Sequence, residues 1–144
     1  MTEVSHNHLE GIKGAEAAAV SLYLARTGST KEEIRAYIRE NYYDLDFTLD
    51  EIRQNYRFDV SCQGSVPQAI TAFLEGDSFE DTVRNAISIG GDSDTIAAIA
   101  GSIAEAFFGI PEALRSQALT YFESPIFLNI LKDFEEKYPP KILR

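Results

Sequence analysis

The sequence predicts an all-α protein, a compact multi-helix bundle, on three observations. Helix-capping residues recur along the chain, apolar residues follow them at three- and four-residue spacing, and glycine or proline closes most segments. The stretch that alternates like a strand, residues 58–62, is too short and too isolated to build a sheet. Because no linker or repeat divides the 144 residues, we expect one domain over residues 1–144.

The first two helices are predicted from composition and capping. Residues 12–27 are rich in alanine, the best helix former, and Gly28 supplies a left-handed stop after them. Thr30 and Glu33 have the spacing of a capping box, which opens the second helix. The apolar face of this second helix consists of Ile34, Tyr37 and Ile38.

The middle of the chain repeats the same signals. Residues 41–47 have the composition of a loop, and Thr48 with Glu51 then repeats the capping box for a short helix. Residues 65–68 indicate another start, with a serine cap, an early proline and a glutamine three residues after the cap. This helix is predicted to end near Glu75, where a glycine follows.

The second half of the chain contains four predicted helices. Ser78 caps the first of them, residues 90–95 interrupt the pattern, and a strongly apolar helix then continues to Phe108. Two further helices are predicted to begin at first-turn prolines, Pro111 and Pro125. The proline pair at residues 139–140 ends the second of these helices. The apolar residues of the last helix are Phe127, Ile130, Leu131 and Phe134.

Composition excludes several classes of partner and location. The net charge of -10 repels phosphate backbones and anionic lipids, so we expect neither nucleic acid nor a membrane surface as partner. We expect no membrane span and no signal peptide, because long apolar runs are missing and the first residues have no basic, apolar leader pattern. The one cysteine, Cys62, suits a reducing compartment, which predicts a cytoplasmic protein.

The chemically suggestive segment is residues 90–95. Two glycines allow a tight turn, and Asp92, Asp94 and Thr95 then offer hard oxygen ligands on one short arc at a helix start. Mg²⁺ prefers such ligands and keeps several waters, so few protein oxygens suffice. The alternative is a glycine-rich turn followed by an Asp or Ser helix cap, and spacing alone favours it because caps are commoner than metal sites.

The helix after this segment is predicted to be central. Small residues beside its apolar stripe let other helices approach closely, and carboxylates at the start of a buried helix need partners, which a cation can supply. Core packing explains the stripe without any site, but it does not explain both aspartates. The stripe consists of Ile96, Ile99, Ile103 and Phe107.

Three segments of the sequence, at residues 5–11, 58–69 and 90–104, together resemble the ADP-ribosylglycohydrolases of the dinitrogenase reductase-activating type. Residues 90–104 are similar to the family's C-terminal metal motif, and residues 5–11 to its His-x-His-Pro-x-Gly segment before an alanine-rich helix. Residues 58–69 are similar to the segment before the helix that leads to the metal motif. The three segments occur in family order, although Leu9 stands where the family usually has proline.

The resemblance implies an all-helical hydrolase with two Mg²⁺ ions. It assigns Asp92, Asp94 and Thr95 as metal ligands, with the two aspartates also in the catalytic centre. It places a histidine of the pair His6 and His8 beside the ligand, and we expect His8 to hold that position. The implied substrate is an ADP-ribosylated protein or a small molecule that contains ADP-ribose.

One departure from the family pattern leaves three functions open. The family's other metal ligands lie in an acidic motif upstream of the histidine segment, and residues 1–144 show no counterpart of it. The chain is therefore a hydrolase completed by a missing N-terminal half or by self-association, an inactive helical module that binds a nucleotide or protein, or a degenerate product without ligand. Apolar surface left by missing helices would favour a homo-oligomer under all three.

Overall fold

The described part of the chain is helical almost throughout. The computed structural model describes residue 4, residues 7–139 and the backbone of residues 142–143. Its helices are α1 Leu9–Arg26, α2 Lys31–Asn41, α3 Leu49–Arg53, α4 Cys62–Glu75, α5 Phe79–Ser88, α6 Ser93–Phe108, α7 Glu112–Leu119 and α8 Pro125–Lys137. Two two-residue strands, β1 Ile110–Pro111 and β2 Ile142–Leu143, pair in parallel. The prediction of an all-α bundle is confirmed for the described residues.

Local capping explains where several helices begin. The hydroxyl of Thr30 accepts a hydrogen bond from the Glu33 amide at 3.2 Å, and the Glu33 carboxylate accepts one from the Thr30 amide at 2.8 Å. Thr48 and Glu51 make the same reciprocal pair before α3. Ser78 accepts from the amide three residues later and caps α5. These predicted starts are confirmed, because the caps satisfy amides that have no partner inside the helix.

The predicted start of α4 near residue 65 is wrong by one turn. Ser61 is the cap, because its hydroxyl accepts a hydrogen bond from the Gly64 amide at 3.1 Å, and the helix begins at Cys62. Asp59 fixes this cap in turn, since its carboxylate accepts from the Ser61 amide at 2.8 Å. Pro67 therefore lies inside α4 and is buried there.

The core forms around α6, which packs against α1, α4 and α5. Ile96 and Ile103 of this helix are buried, so the prediction of a central helix is confirmed. Phe73 of α4 is fully buried, and its ring meets those of Phe107 and Phe108 edge to face, with centroids 5.4 and 6.1 Å apart. The interlocked rings hold the C-terminal end of α6 on α4.

The C-terminal helices lie outside this core. No residue of α7 or α8 is buried, and an ion pair between Arg115 and Glu135 connects the two helices. Pro125 opens α8 as predicted, whereas Pro111 occupies the N-cap position before α7. Several large apolar side chains of α8 are exposed: Ile126, Phe127, Ile130 and Phe134. Among the described residues, no helix has the length and apolar composition that a membrane crossing requires.

Candidate metal-binding site

Two glycines shape the loop that leads into α6. Gly90 and Gly91 have φ angles of +74° and +67°, a left-handed conformation that favours glycine. Their surroundings differ, because a Cβ atom on Gly90 would meet nothing within 4 Å, whereas one on Gly91 would lie 2.2 Å from Cε1 of Tyr56. Gly91 is therefore required both for the turn and for the close approach of the tyrosine ring.

Tyr56 connects this loop to α4. Its hydroxyl donates a hydrogen bond to the carbonyl oxygen of Gly64 in the first turn of α4. Burial raises the pKa of the Tyr56 phenol, and the negative charges of Asp59 and Asp92 raise it further. Tyr56 carries no signal in the sequence, because it lies two residues before the segment that resembles the family and its contact with Gly91 joins residues 35 positions apart.

The two aspartates lie two residues apart at the start of α6. Asp92 occupies the N-cap position, yet its side chain makes no capping hydrogen bond to the helix. Hydrogen bonding with the Asp92 side chain lowers the pKa of Asp94, and the backbone amides of Thr95 and Asp94 lower it further. The Thr95 amide donates to Oδ1 of Asp94 at 3.0 Å. Asp92 therefore does not act as the cap that the alternative interpretation requires.

The donor set suits a hard cation only in part. Asp94 and Thr95 are exposed, whereas Asp92 is half-buried. Of the two carboxylates expected to be buried, only that of Asp92 is partly buried. Within the described residues, no group of three or more His, Cys, Asp or Glu side chains is placed to hold a metal ion. Two carboxylates and one hydroxyl on one arc are a fit for a hydrated Mg²⁺, which leaves most of its coordination to water.

His8 caps the first helix. Its Nδ1 accepts a hydrogen bond from the Glu10 amide at 3.3 Å, and the side chain is exposed. The structure thus gives His8 a local role at the start of α1, and its assignment to ligand binding stays a prediction. His6, the other histidine of the predicted pair, lies outside the described residues.

A cleft lies beside Tyr56, which is one of its lining residues. It has a volume of about 410 Å³ and is lined by residues 55–59 and by Gln63, Gly64 and Gln68. Oε1 of Gln68 is buried and has no hydrogen-bond partner among the described residues. Because buried polar atoms are normally paired, this oxygen is an exception among the described residues.

The sequence model of one protein family covers almost the whole chain. The family is described as ADP-ribosylglycohydrolase, and its match spans residues 1–137. No solved structure gives a significant match.

Individual relatives are similar over shorter stretches. "ADP-ribosylarginine hydrolase Tri1" of Pseudomonas putida is 28% identical over 115 residues, which is 76% of this chain and 31% of the relative. "ADP-ribosylhydrolase ARH3" of Homo sapiens is 35% identical over 98 residues, which is 58% of this chain and 27% of the relative. An uncharacterized protein of Archaeoglobus fulgidus is 33% identical over 82 residues, or 56% and 26%. The chain thus spans less than a third of these relatives, and on the family match it belongs to the ADP-ribosylglycohydrolase family.

Proposed function

We propose that residues 1–144 carry one part of a divalent-cation site for the hydrolysis of ADP-ribosyl glycosidic bonds. Asp92, Asp94 and Thr95 are the proposed cation ligands. The observation that carries the proposal is that Asp92 occupies the N-cap position of α6 without capping the helix, two residues before Asp94 and three before Thr95. Family membership supports the reaction class, since two relatives are named as hydrolases of ADP-ribosylated compounds.

The proposed chemistry follows from the donor set. Mg²⁺, when bound, would supply Lewis acidity and a template for sugar and water. Asp92 and Asp94 would bind the cation and accept protons, and the hydroxyl of Thr95 would add a neutral oxygen ligand. His8 is proposed to contact the bound ligand from the start of α1. The substrate class is an ADP-ribosylated protein or a small molecule that contains ADP-ribose.

A second candidate is an inactive module that binds a nucleotide or a partner protein. It is favoured by one observation, that the described residues offer no third acidic, histidine or cysteine side chain for a metal at this site. The two candidates differ in cation dependence. A catalytic half-site binds Mg²⁺ through its aspartates, whereas an inactive module binds its nucleotide or partner protein in the absence of Mg²⁺.

Calorimetric titration with Mg²⁺ tests the proposed ligands. We expect a dissociation constant on the order of millimolar, because few protein ligands contribute and many waters stay bound. Asp94→Asn should weaken binding at least tenfold, whereas Asp133→Asn, which removes an exposed carboxylate on α8, should leave it unchanged. Equal Mg²⁺ affinity in the two variants would contradict the assignment of Asp94 as a ligand. The assignment would also be contradicted if the unmodified protein bound no Mg²⁺ and Asp94→Asn lowered its stability.

A further inference from the structure

The helix α8 has one half-buried side and one exposed apolar side. Leu128, Leu131 and Glu135 lie three or four positions apart and are half-buried. Glu135 pairs on this side with Arg115 of α7. The other side carries four large apolar side chains that are each more than half exposed: Ile126 68%, Phe127 61%, Ile130 58% and Phe134 59%. We name these four residues the α8 face.

The α8 face is large for a surface in contact with water. Contiguous apolar patches on soluble monomers rarely exceed a few hundred Å². With Phe122 before the helix and Tyr138 at its end, which are 46% and 48% exposed, one copy of the chain offers on the order of 600 Å² of apolar surface. Two such surfaces in contact would bury about 1,200 Å², which is the lower limit for specific protein–protein interfaces.

The residues in and around the α8 face are arranged symmetrically about Ile130. Ile126 lies four positions before Ile130, and Phe134 lies four positions after it. Two opposite charges follow at seven positions, Glu123 before and Lys137 after, and both side chains are exposed. An aromatic residue lies eight positions away on each side: Phe122 and Tyr138. A two-fold interface requires such self-complementarity, because each residue contacts its counterpart in the other copy.

We infer that the α8 face binds the same face of a second copy of this chain, with the two α8 helices antiparallel and the two-fold axis at Ile130. In this arrangement Ile126 of each copy faces Phe134 of the other, and the two Ile130 side chains meet. Glu123 faces Lys137 at both ends of the interface. Within one copy, neither of these two residues forms an ion pair among the described residues. The Lys137 ammonium lies 5.6 Å from the centroid of the Tyr138 ring, at the end of the face.

Charge favours the antiparallel arrangement over a parallel one. Parallel helices would place Glu123 beside Glu123 and Lys137 beside Lys137, and like charges in contact oppose binding. Antiparallel helices instead place the positive N-terminal end of each helix dipole beside the negative C-terminal end of the other.

Charge also favours a second copy over other occupants of the α8 face. The net charge of -10 repels nucleic acid and anionic lipid surfaces. The same net charge opposes self-association, but at about 0.15 M salt the charges that lie more than about 8 Å apart are largely screened. The paired charges at the ends of the interface are closer than this and still attract.

Sedimentation equilibrium of the 144-residue protein at about 0.15 M salt tests the interface. Because the buried area is near the lower limit, we expect a monomer–dimer equilibrium with a dissociation constant on the order of 10 µM. Ile130→Glu should weaken dimerisation by about tenfold or more, since two carboxylates then meet at the two-fold axis. Ile87→Glu, which changes an isoleucine of α5 that is 54% exposed, should leave dimerisation unchanged. Both variants place a good helix former at an exposed helical position, so their helical circular dichroism should match that of the unmodified chain.

Charge reversal tests the antiparallel geometry. Glu123→Lys and Lys137→Glu should each weaken dimerisation by about two- to tenfold, because like charges then face each other at both ends. The double variant has opposite charges again and should recover the affinity of the unmodified chain. A protein that stays monomeric at about 100 µM, or a dimer that Ile130→Glu leaves intact, overturns the inference. A dimer that Ile130→Glu dissociates, but whose affinity the double variant does not recover, contradicts the antiparallel arrangement.

Discussion

Replacing Gly91 by alanine should destabilise the protein far more than the same change at Gly90. Both residues have left-handed backbones, so each substitution costs roughly 1–2 kcal/mol in backbone strain. At Gly91 the new methyl group would also lie 2.2 Å from Cε1 of Tyr56, and such overpacking adds roughly 1–3 kcal/mol. The expected losses in unfolding free energy are therefore about 2–5 kcal/mol for Gly91→Ala and about 1–2 kcal/mol for Gly90→Ala.

Urea unfolding followed by helical circular dichroism measures both losses. The tyrosine cannot move aside easily, because its hydroxyl is hydrogen-bonded to the carbonyl of Gly64. In a Tyr56→Ala background the ring is gone, so the cost of Gly91→Ala should fall close to that of Gly90→Ala, which a double-mutant cycle reports as coupling. A small difference should persist, because the new methyl group would still lie 3.2 Å from the carbonyl oxygen of Arg57. Equal losses for the two glycines in the unmodified chain would refute the close packing of Tyr56 against the motif loop.

Three further predictions concern stability. Phe73→Ala should lower the unfolding free energy by about 3–5 kcal/mol, because the ring is fully buried against two others; a loss below about 1 kcal/mol in urea would contradict this packing. Thr30→Ala should cost about 1 kcal/mol in the same assay by removing the α2 cap, and no change would show that the cap is dispensable. Burial, and then the charge of Glu135, raises the pKa of Glu105 above its usual 4.5, so the folded state favours the protonated form. Its stabilising contribution is complete below pH 4.5 and is lost as the pH rises through the folded pKa, so Glu105→Gln should stabilise the protein at neutral pH relative to acid pH. A pH-independent difference between variant and unmodified chain would oppose this.

Structural features that depend on residues close together in the sequence were predictable. The caps at Thr30, Thr48 and Ser78 depend on residues three positions apart, and all three were predicted. The start of α4 was misplaced because Ser61 and Ser65 both have cap chemistry. The choice between them depends on the Asp59 carboxylate, which holds the Ser61 amide.

Features that depend on distant residues were not predictable. The contact of Tyr56 with Gly91 joins positions far apart in sequence, and periodicity carries no signal for it. The apolar residues of α8 have the spacing of a core-facing helix, yet Phe127, Ile130 and Phe134 are exposed. Spacing predicts an apolar helix face, but it does not predict which element packs against that face. At the candidate site, sequence identified Asp92 and Asp94 but could not show that Asp92 leaves the helix uncapped.

Asp92, Asp94 and Thr95 are proposed to form only part of a cation site for ADP-ribosyl hydrolysis. The most direct test is a turnover assay of the purified 144-residue protein with Mg²⁺ and ADP-ribosyl-arginine. Because the described residues provide no third acidic or histidine ligand beside the two aspartates, we expect no detectable hydrolysis by this chain alone. Robust Mg²⁺-dependent turnover that Asp94→Asn abolishes would show a complete site within residues 1–144 and contradict the claim.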